Sequence, residues 1–276
     1  MNPYTPYSSS PTTLMHSIRD HHRLIRQMIW REVIGRYKGS VLGLGWSFFN
    51  PLMMLTIYSF VFSVVFKARW GVDTIESKVD FALILFIGLI IHAMFAEVLN
   101  RAPELIINNV NYVKKVVFPL EILTIVSLGS ALFHAFVSIV VLLVAFVLLN
   151  GFFNWTLIYT PIVLFPLVPL TLGVGWILSS LGVYLRDIGQ VIGSITMMLL
   201  FLAPVFYPIT ALPESYQYIF SFNPLTLPIE QARAVILFGQ LPDWTSISIY
   251  TIVSFIICWF GFWLFQKTRS GFADVV

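Results

Sequence analysis

Six apolar stretches recur along this chain, at residues 41–66, 81–99, 120–149, 156–184, 188–207 and 245–265. Each reaches or approaches the roughly 20 residues that a helix needs to cross about 30 Å of hydrocarbon. Backbone placed in lipid must satisfy its own hydrogen bonds, so such stretches fold as helices. Composition agrees: 58% of residues are hydrophobic and 11% charged, where a soluble domain carries roughly a quarter charged residues. The expected fold class is an all-α integral membrane protein with six transmembrane helices. Its single cysteine, Cys258, excludes an intrachain disulfide and a thiolate metal site.

Lys and Arg set the expected direction. Arg19, Arg23, Arg26, Arg31, Arg36 and Lys38 precede the first stretch, Arg101, Lys114 and Lys115 follow the second, Arg186 follows the fourth, and Lys267 and Arg269 follow the sixth. The opposite connections hold only Lys67, Arg69, Lys78 and Arg233, with Asp73, Glu76 and Asp80 balancing the first three. The positive-inside rule then puts both termini in the cytoplasm. The net charge of +3 reflects this bias and is no nucleic-acid patch. Residues 1–13 are polar, with no signal-peptide core, and read as a flexible cytoplasmic tail; residues 267–276 form a second tail.

Between the first tail and the first crossing, residues 14–40 read as an amphipathic interface helix. Leu14, Ile18, Ile25, Met28, Ile29 and Val33 share one face, with Arg19, Arg23, Gln27, Arg31 and Lys38 largely opposite. Arg23, Arg26, Trp30, Arg31 and Arg36 suit headgroup depth. An anchor alone and a surface for a cytoplasmic partner are both compatible with this pattern.

No catalytic constellation stands out. There is no Walker sequence, since no lysine follows a glycine, and no H-E-x-x-H. His92 and His134 read as helix–helix hydrogen-bonding residues. Glu97 and Glu121, near the inner ends of spans two and three, read as structural groups within reach of headgroups, waters or Arg101, Lys114 and Lys115. Glu230 has Arg233 at i+3. Aromatic residues are 16% of the chain. Beyond interfacial belts, they run through the first span (Trp46, Phe49, Tyr58, Phe62) and end the fifth (Phe201, Phe206, Tyr207). A pore walled this way suits a bulky amphipathic solute such as a glycan, whose C–H faces stack on rings.

Three connections are unusual. RAPELIINNVNYVKKVVFP, after span two, predicts a short helix over 104–117 across the inner mouth, with Glu104, Asn108, Asn109, Asn111, Lys114 and Lys115 toward the cytosol. YLRDIGQVI, after span four, sets Arg186 and Asp187 in a tight turn, as a local ion pair or a partner contact. The segment 203–244 is broken by prolines 204, 208, 213, 224, 228 and 242. It reads as two half-helices at the outer mouth within 213–238, with Tyr216, Phe220, Pro224 and Glu230 as gate residues.

RYKGSVLGLGWSFFNP, NYVKKVVFP, YLRDIGQVI and PVFYPIT with a later FNP occur in that order. Together they resemble the permease subunit of ABC-2-type polysaccharide exporters, most closely those exporting O-antigen (lipopolysaccharide). Teichoic acid exporters share the pattern; group 2 capsule exporters lack the pair seen at Arg186–Asp187. The resemblance implies an ABC-2 transmembrane domain over 41–266 in a homodimer bound to two copies of a separate ATPase. That partner would hold ATP and Mg, leaving this chain without a cofactor or catalytic site. It further implies a coupling helix at 104–117, a second ATPase contact at Arg186–Asp187, and a channel between protomers lined by the first and fifth spans. Channel-lining candidates are then Trp46, Phe49, Asn50, Pro51, Tyr58, Phe62, Phe201, Phe206 and Tyr207. Asn50 and Pro51 would bend a channel wall and give it a polar group.

The expected activity is export of an undecaprenyl-linked polysaccharide across the bacterial inner membrane. Alternatives are a teichoic acid or capsule exporter, an ABC-2 exporter of a small drug or lipid, and a membrane-embedded glycan polymerase or ligase. A secondary carrier would show repeated broken helices in its two halves, and none is visible.

Overall fold

The computed structural model describes residues 10–65, 78–114 and 118–275, and every regular element among them is helical. Lys115, the first nine residues of the tail and the cations at 67 and 69 lie outside the described residues. Two helices, α1 (Pro11–Asp20) and α2 (His22–Gly35), take up the charged N-terminal segment. Next, α3 (Gly45–Tyr58) carries Pro51 inside it and continues as π-helix over Ser59–Val65. The long α4 (Lys78–Arg101) leads into 3-10 turns at Ala102–Glu104 and Ile107–Asn109 and the short α5 (Val110–Lys114). Then come α6 (Ile122–Asn150), a 3-10 turn at Trp155–Tyr159, α7 (Thr160–Leu164), α8 (Leu167–Tyr184) and α9 (Ile188–Leu202). The chain closes with α10 (Glu214–Ser221), α11 (Thr226–Ile236), α12 (Trp244–Thr268) and α13 (Phe272–Val275).

Four helical stretches among the described residues are long and apolar enough to cross a membrane: Phe81–Glu104, Ile122–Asn150, Trp155–Tyr184 and Trp244–Val275. The other two expected crossings are less regular. With 15 residues, α9 covers only about 22 Å at 1.5 Å per residue, and its helix stops at Leu202 where the sequence predicts continuation to 207. The first crossing is helical only from Gly45, not from 41, and changes winding at Ser59. Two other expectations give way to broken geometry. The interface helix is interrupted at His21, and the described part of the expected coupling helix, residues 104–114, forms turns and five residues of helix rather than one continuous helix.

The central element is α4, which packs against α3, α6, α8, α9 and α11; Ala82, Ile84, Leu85 and Val98 on it are fully buried. Outer helices turn apolar faces away from the bundle, as Leu148 on α6 and Ile252, Ile256 and Trp259 on α12 do; in a bilayer these faces meet lipid. Helix ends follow local chemistry. Gly151 adopts φ 77° after α6 and returns its N–H to the Val147 carbonyl, a glycine C-cap. The Asp243 carboxylate accepts from the N–H groups of Thr245 and Ser246 and from the Ser246 hydroxyl, 2.6 Å away, an N-cap for α12. These bonds hold its pKa below the ordinary carboxylate value.

Helices α8 and α12 pack backbone to backbone where Gly173 and Gly261 face each other. A Cβ on Gly173 would sit 2.5 Å from the Ile257 carbonyl oxygen and 2.6 Å from Cys258 Cα, and one on Gly261 would strike the Gly173 carbonyl. Small residues that let backbones touch are the usual adhesive between helices in lipid, where apolar surface gains little by leaving its solvent. Gly261→Val therefore forces rigid backbone apart, and we expect a loss of at least about 2 kcal/mol, read as a lower unfolding temperature of detergent-purified protein. Gly193→Ala on α9, where a Cβ meets open space, should leave that temperature unchanged.

Candidate functional site

A polar cleft of about 350 Å³ lies between α3, α4 and α6. Asn50 and Pro51 are in its wall, with Ser47, Tyr58, His92, His134, Ser138, Arg36 and Tyr37. Among the described residues the Asn50 amide bonds no backbone group, so it does not repair the hydrogen bond that Pro51 removes; it is exposed at the cleft. His92 is committed to structure: its Nε2 lies 2.8 Å from the Thr196 carbonyl, tying α4 to α9. His134 meets the Arg36 guanidinium at 3.3 Å through Nδ1.

Four of the aromatic channel candidates form one chain of rings. Tyr58 and Phe62 lie 6.5 Å apart, Phe62 and Phe206 stack at 6.5 Å, and Phe206 and Phe201 stack at 5.7 Å. The segments that follow α3 and α9 therefore meet through Phe62 and Phe206. Trp46 and Phe49 pair edge-to-face at 5.7 Å at the opposite end of α3. Phe49 and Phe201 are half-exposed with their neighbours Phe48, Met53, Met197 and Met198, so α3 and α9 present broad apolar faces away from this protomer's core. Tyr207 donates to the Phe201 carbonyl at 2.5 Å and meets Phe220 edge-to-face.

At the Arg101 end of α4, charges tie the N-terminal helices to the bundle. Arg36 pairs with Glu97, which also lies 3.5 Å from Arg101; Arg101 in turn lies 2.5 Å from Glu32. The apolar face of α2 packs on α6 more than on lipid: Ile25, Met28 and Val33 are buried, Ile29 fills the space over Gly129, and Trp30 meets Phe133 edge-to-face. Arg23, Arg26 and Arg31 stay exposed. Glu121 is a second tie. It accepts from Ser17 and from Arg269, both at 2.8 Å. Arg269 is thus a partner of Glu121 that the sequence did not suggest. Arg269 also donates to the Phe118 carbonyl, and so both chain ends converge on one buried carboxylate.

The same end carries the predicted docking residues. Ala102–Glu104 packs against α8 and α9, which brings the exposed Glu104 to the side of the bundle that bears the exposed Arg186 and Asp187. Among the described residues Arg186 and Asp187 form no ion pair, contrary to the local pairing expected for them. Asn108, Asn111 and Lys114 are exposed, whereas Asn109 turns back to the Leu105 carbonyl at 2.8 Å. Ile106 is fully buried; it anchors the segment in the bundle.

At the far end, the broken segment is organised by Arg233. Only 1% exposed, it donates from Nε to the Ile84 carbonyl at 3.0 Å, from Nη1 to Pro204 at 2.5 Å and from Nη2 to Val205 at 3.0 Å. The i+3 partner read from sequence, Glu230, is 3.1 Å from Nη1. Burial lowers the guanidinium pKa to about 10, still charged at neutral pH. Burial raises the Glu230 carboxyl, opposed by Arg233. The carbonyl contacts are long-range and do not follow from the i+3 spacing that pairs Glu230 with Arg233. Their signals were a lone cation in an apolar, proline-broken segment and Gly88, whose missing Cβ would sit 3.1 Å from Arg233 Nη2. Tyr216 is exposed; Pro224 accepts from the Tyr250 hydroxyl at 2.7 Å.

The ABC-2 type transporter family model matches residues 23–237. An O-antigen export system permease protein of Myxococcus xanthus is 23% identical over 95% of this chain and 99% of the relative. One from Klebsiella pneumoniae is 29% identical over 87% of this chain and 90% of the relative. A polysialic acid transport protein of Escherichia coli is 21% identical, over 90% and 94%.

Replacing Arg233 with Gln leaves buried carbonyls without donors and should cost about 3 kcal/mol or more. Arg233→Lys should recover only part, because an ammonium lacks the planar fork that reaches three carbonyls. Thermal unfolding in detergent, with protease sensitivity of the 204–242 segment, measures both.

Proposed function

This chain belongs to the ABC-2 type transporter family, and from that premise we propose that it is the permease subunit of an ATP-driven exporter of a lipid-linked polysaccharide, O-antigen in the first place. The observation that carries the reading is similarity to O-antigen export permeases over 87–95% of the chain. Two copies pair in the bacterial inner membrane with six crossings each and both termini in the cytoplasm. The exposed apolar faces of α3 and α9 suit a shared channel wall, with the Asn50 cleft and the Tyr58–Phe62–Phe206–Phe201 rings along it.

A separate ATPase supplies ATP and Mg chemistry. It docks on the Lys114 segment and the Arg186–Asp187 turn, where exposed polar groups gather. The permease forms no bond with its cargo: ATPase states bind this surface unequally and so bias a closed against an open channel. Direct ties from α2 to α4 and α6 carry motion of the docking end into the wall of the cleft. The polysialic acid relatives support a second reading, in which the polymer is capsular.

Co-expression with neighbouring genes tests the assembly. A Walker-containing ATPase should purify with this chain at one to one. Lys114→Glu with Arg186→Glu should lower export at least tenfold while each permease still folds. A chain that purifies alone and tolerates both changes would contradict the proposal.

A further inference from the structure

The five-residue α5, which carries Lys114, is too short to hold itself, because a first helical turn fixes several residues for one hydrogen bond. None of its residues is buried, so its order comes from what packs on it. The start of the same stretch is seated directly on α8. There Gly182 leaves room for the Pro103 backbone; a Cβ on it would lie 2.1 Å from the Pro103 carbonyl oxygen. The far end is met by the chain's own C-terminus. Helix α13 packs on α5 and on α8. Arg269 donates to the Phe118 carbonyl at 2.8 Å, and the Phe118 ring stacks on Tyr112 of α5 with centroids 4.5 Å apart.

The C-terminal segment is itself fixed on both sides. The buried Glu121 accepts from Arg269 at 2.8 Å, so the guanidinium forks between that carboxylate and the Phe118 carbonyl, which its planar donors allow. At the end of α8, two residues before Arg186, Tyr184 donates to the Thr268 carbonyl at 3.0 Å. Phe272 is fully buried and meets the rings of Tyr184 and Phe265 at 6.3 and 5.4 Å. Gly271 keeps the space for this contact, since a Cβ there would lie 2.6 Å from the Tyr184 hydroxyl. One segment therefore touches α5 on one side and the end of α8 on the other. We propose that residues 268–275 are a brace that fixes α5 relative to the Arg186–Asp187 turn, with Arg269 as a positioning residue for ATPase docking. The proposal rests on the docking surface given under the proposed function. Two separate contacts bind as one surface at least cost when their spacing is set beforehand.

Trypsin cuts locally opened chain, so cleavage after Lys114 in the full-length protein in nanodiscs reads how often α5 opens. Arg269→Gln combined with Glu121→Gln removes the fork without leaving a buried carboxylate unpaired. It should speed that cleavage about tenfold, the worth of a hydrogen bond to a charged group, with cleavage after Arg31 on α2 unchanged. The milder Tyr184→Phe, which frees the brace from α8, should speed it about fivefold, the worth of one neutral hydrogen bond. Both variants should bind the partner ATPase more weakly by similar factors. Unchanged cleavage after Lys114, or equal acceleration after Arg31, would overturn the brace. Faster cleavage with unchanged ATPase affinity would reduce Arg269 to a stabilising contact and overturn its positioning role. An ATPase that binds the unaltered chain but leaves Lys114 open to trypsin would instead contradict the docking surface on which the proposal rests.

Discussion

The far half of this bundle depends on one guanidinium. After α9 ends at Leu202 the chain runs through buried, non-helical backbone at Ala203, Pro204 and Val205. Such backbone is tolerated at membrane depth only where protein supplies the missing hydrogen bonds. Arg233 supplies them at Pro204 and Val205 and adds Ile84 of α4. A single side chain thus joins α11, the end of the fifth crossing and the central helix, and it lets α9 be short. Gly88 keeps the space that makes this possible.

The opposite end is held differently. There the ties are ion pairs and capped carbonyls spread over Glu32, Arg36, Glu97 and Arg101, and over Ser17, Glu121 and Arg269. Most of these groups are partly exposed, so each contributes little alone; Glu121 is the buried exception. A buried clamp at one end and a distributed network of partly exposed ion pairs at the other set the two ends of the bundle apart. Between them lie Pro51, inside the continuous α3, and the π-turns of Ser59–Val65, a winding change of the kind that often marks functional sites.

The all-helical membrane fold was legible because length and hydropathy decide it: lipid leaves the backbone few alternatives. The i+3 pairing of Glu230 with Arg233 was legible for the same local reason. What escaped was long-range. Nothing in the spacing of Glu121 names Arg269, 148 positions away, as its partner. The break at His21 and the turns within 104–114 also escaped, because tertiary packing of α2 on α6 and burial of Ile106 override helical periodicity. The aromatic chain from Tyr58 to Phe201 is intermediate: the residues stood out by type, and their meeting required the fold.

In the proposed function, the permease moves a lipid-linked polysaccharide only when a partner ATPase hydrolyses ATP. The most direct measurement is transport in proteoliposomes holding both subunits, with a fluorescent undecaprenyl-linked glycan supplied on the ATPase side. ATP-dependent protection of the glycan from an externally added glycosidase, absent with a non-hydrolysable analogue, is the predicted result. Protection that is equal without ATP, or that follows a proton gradient instead, would contradict it.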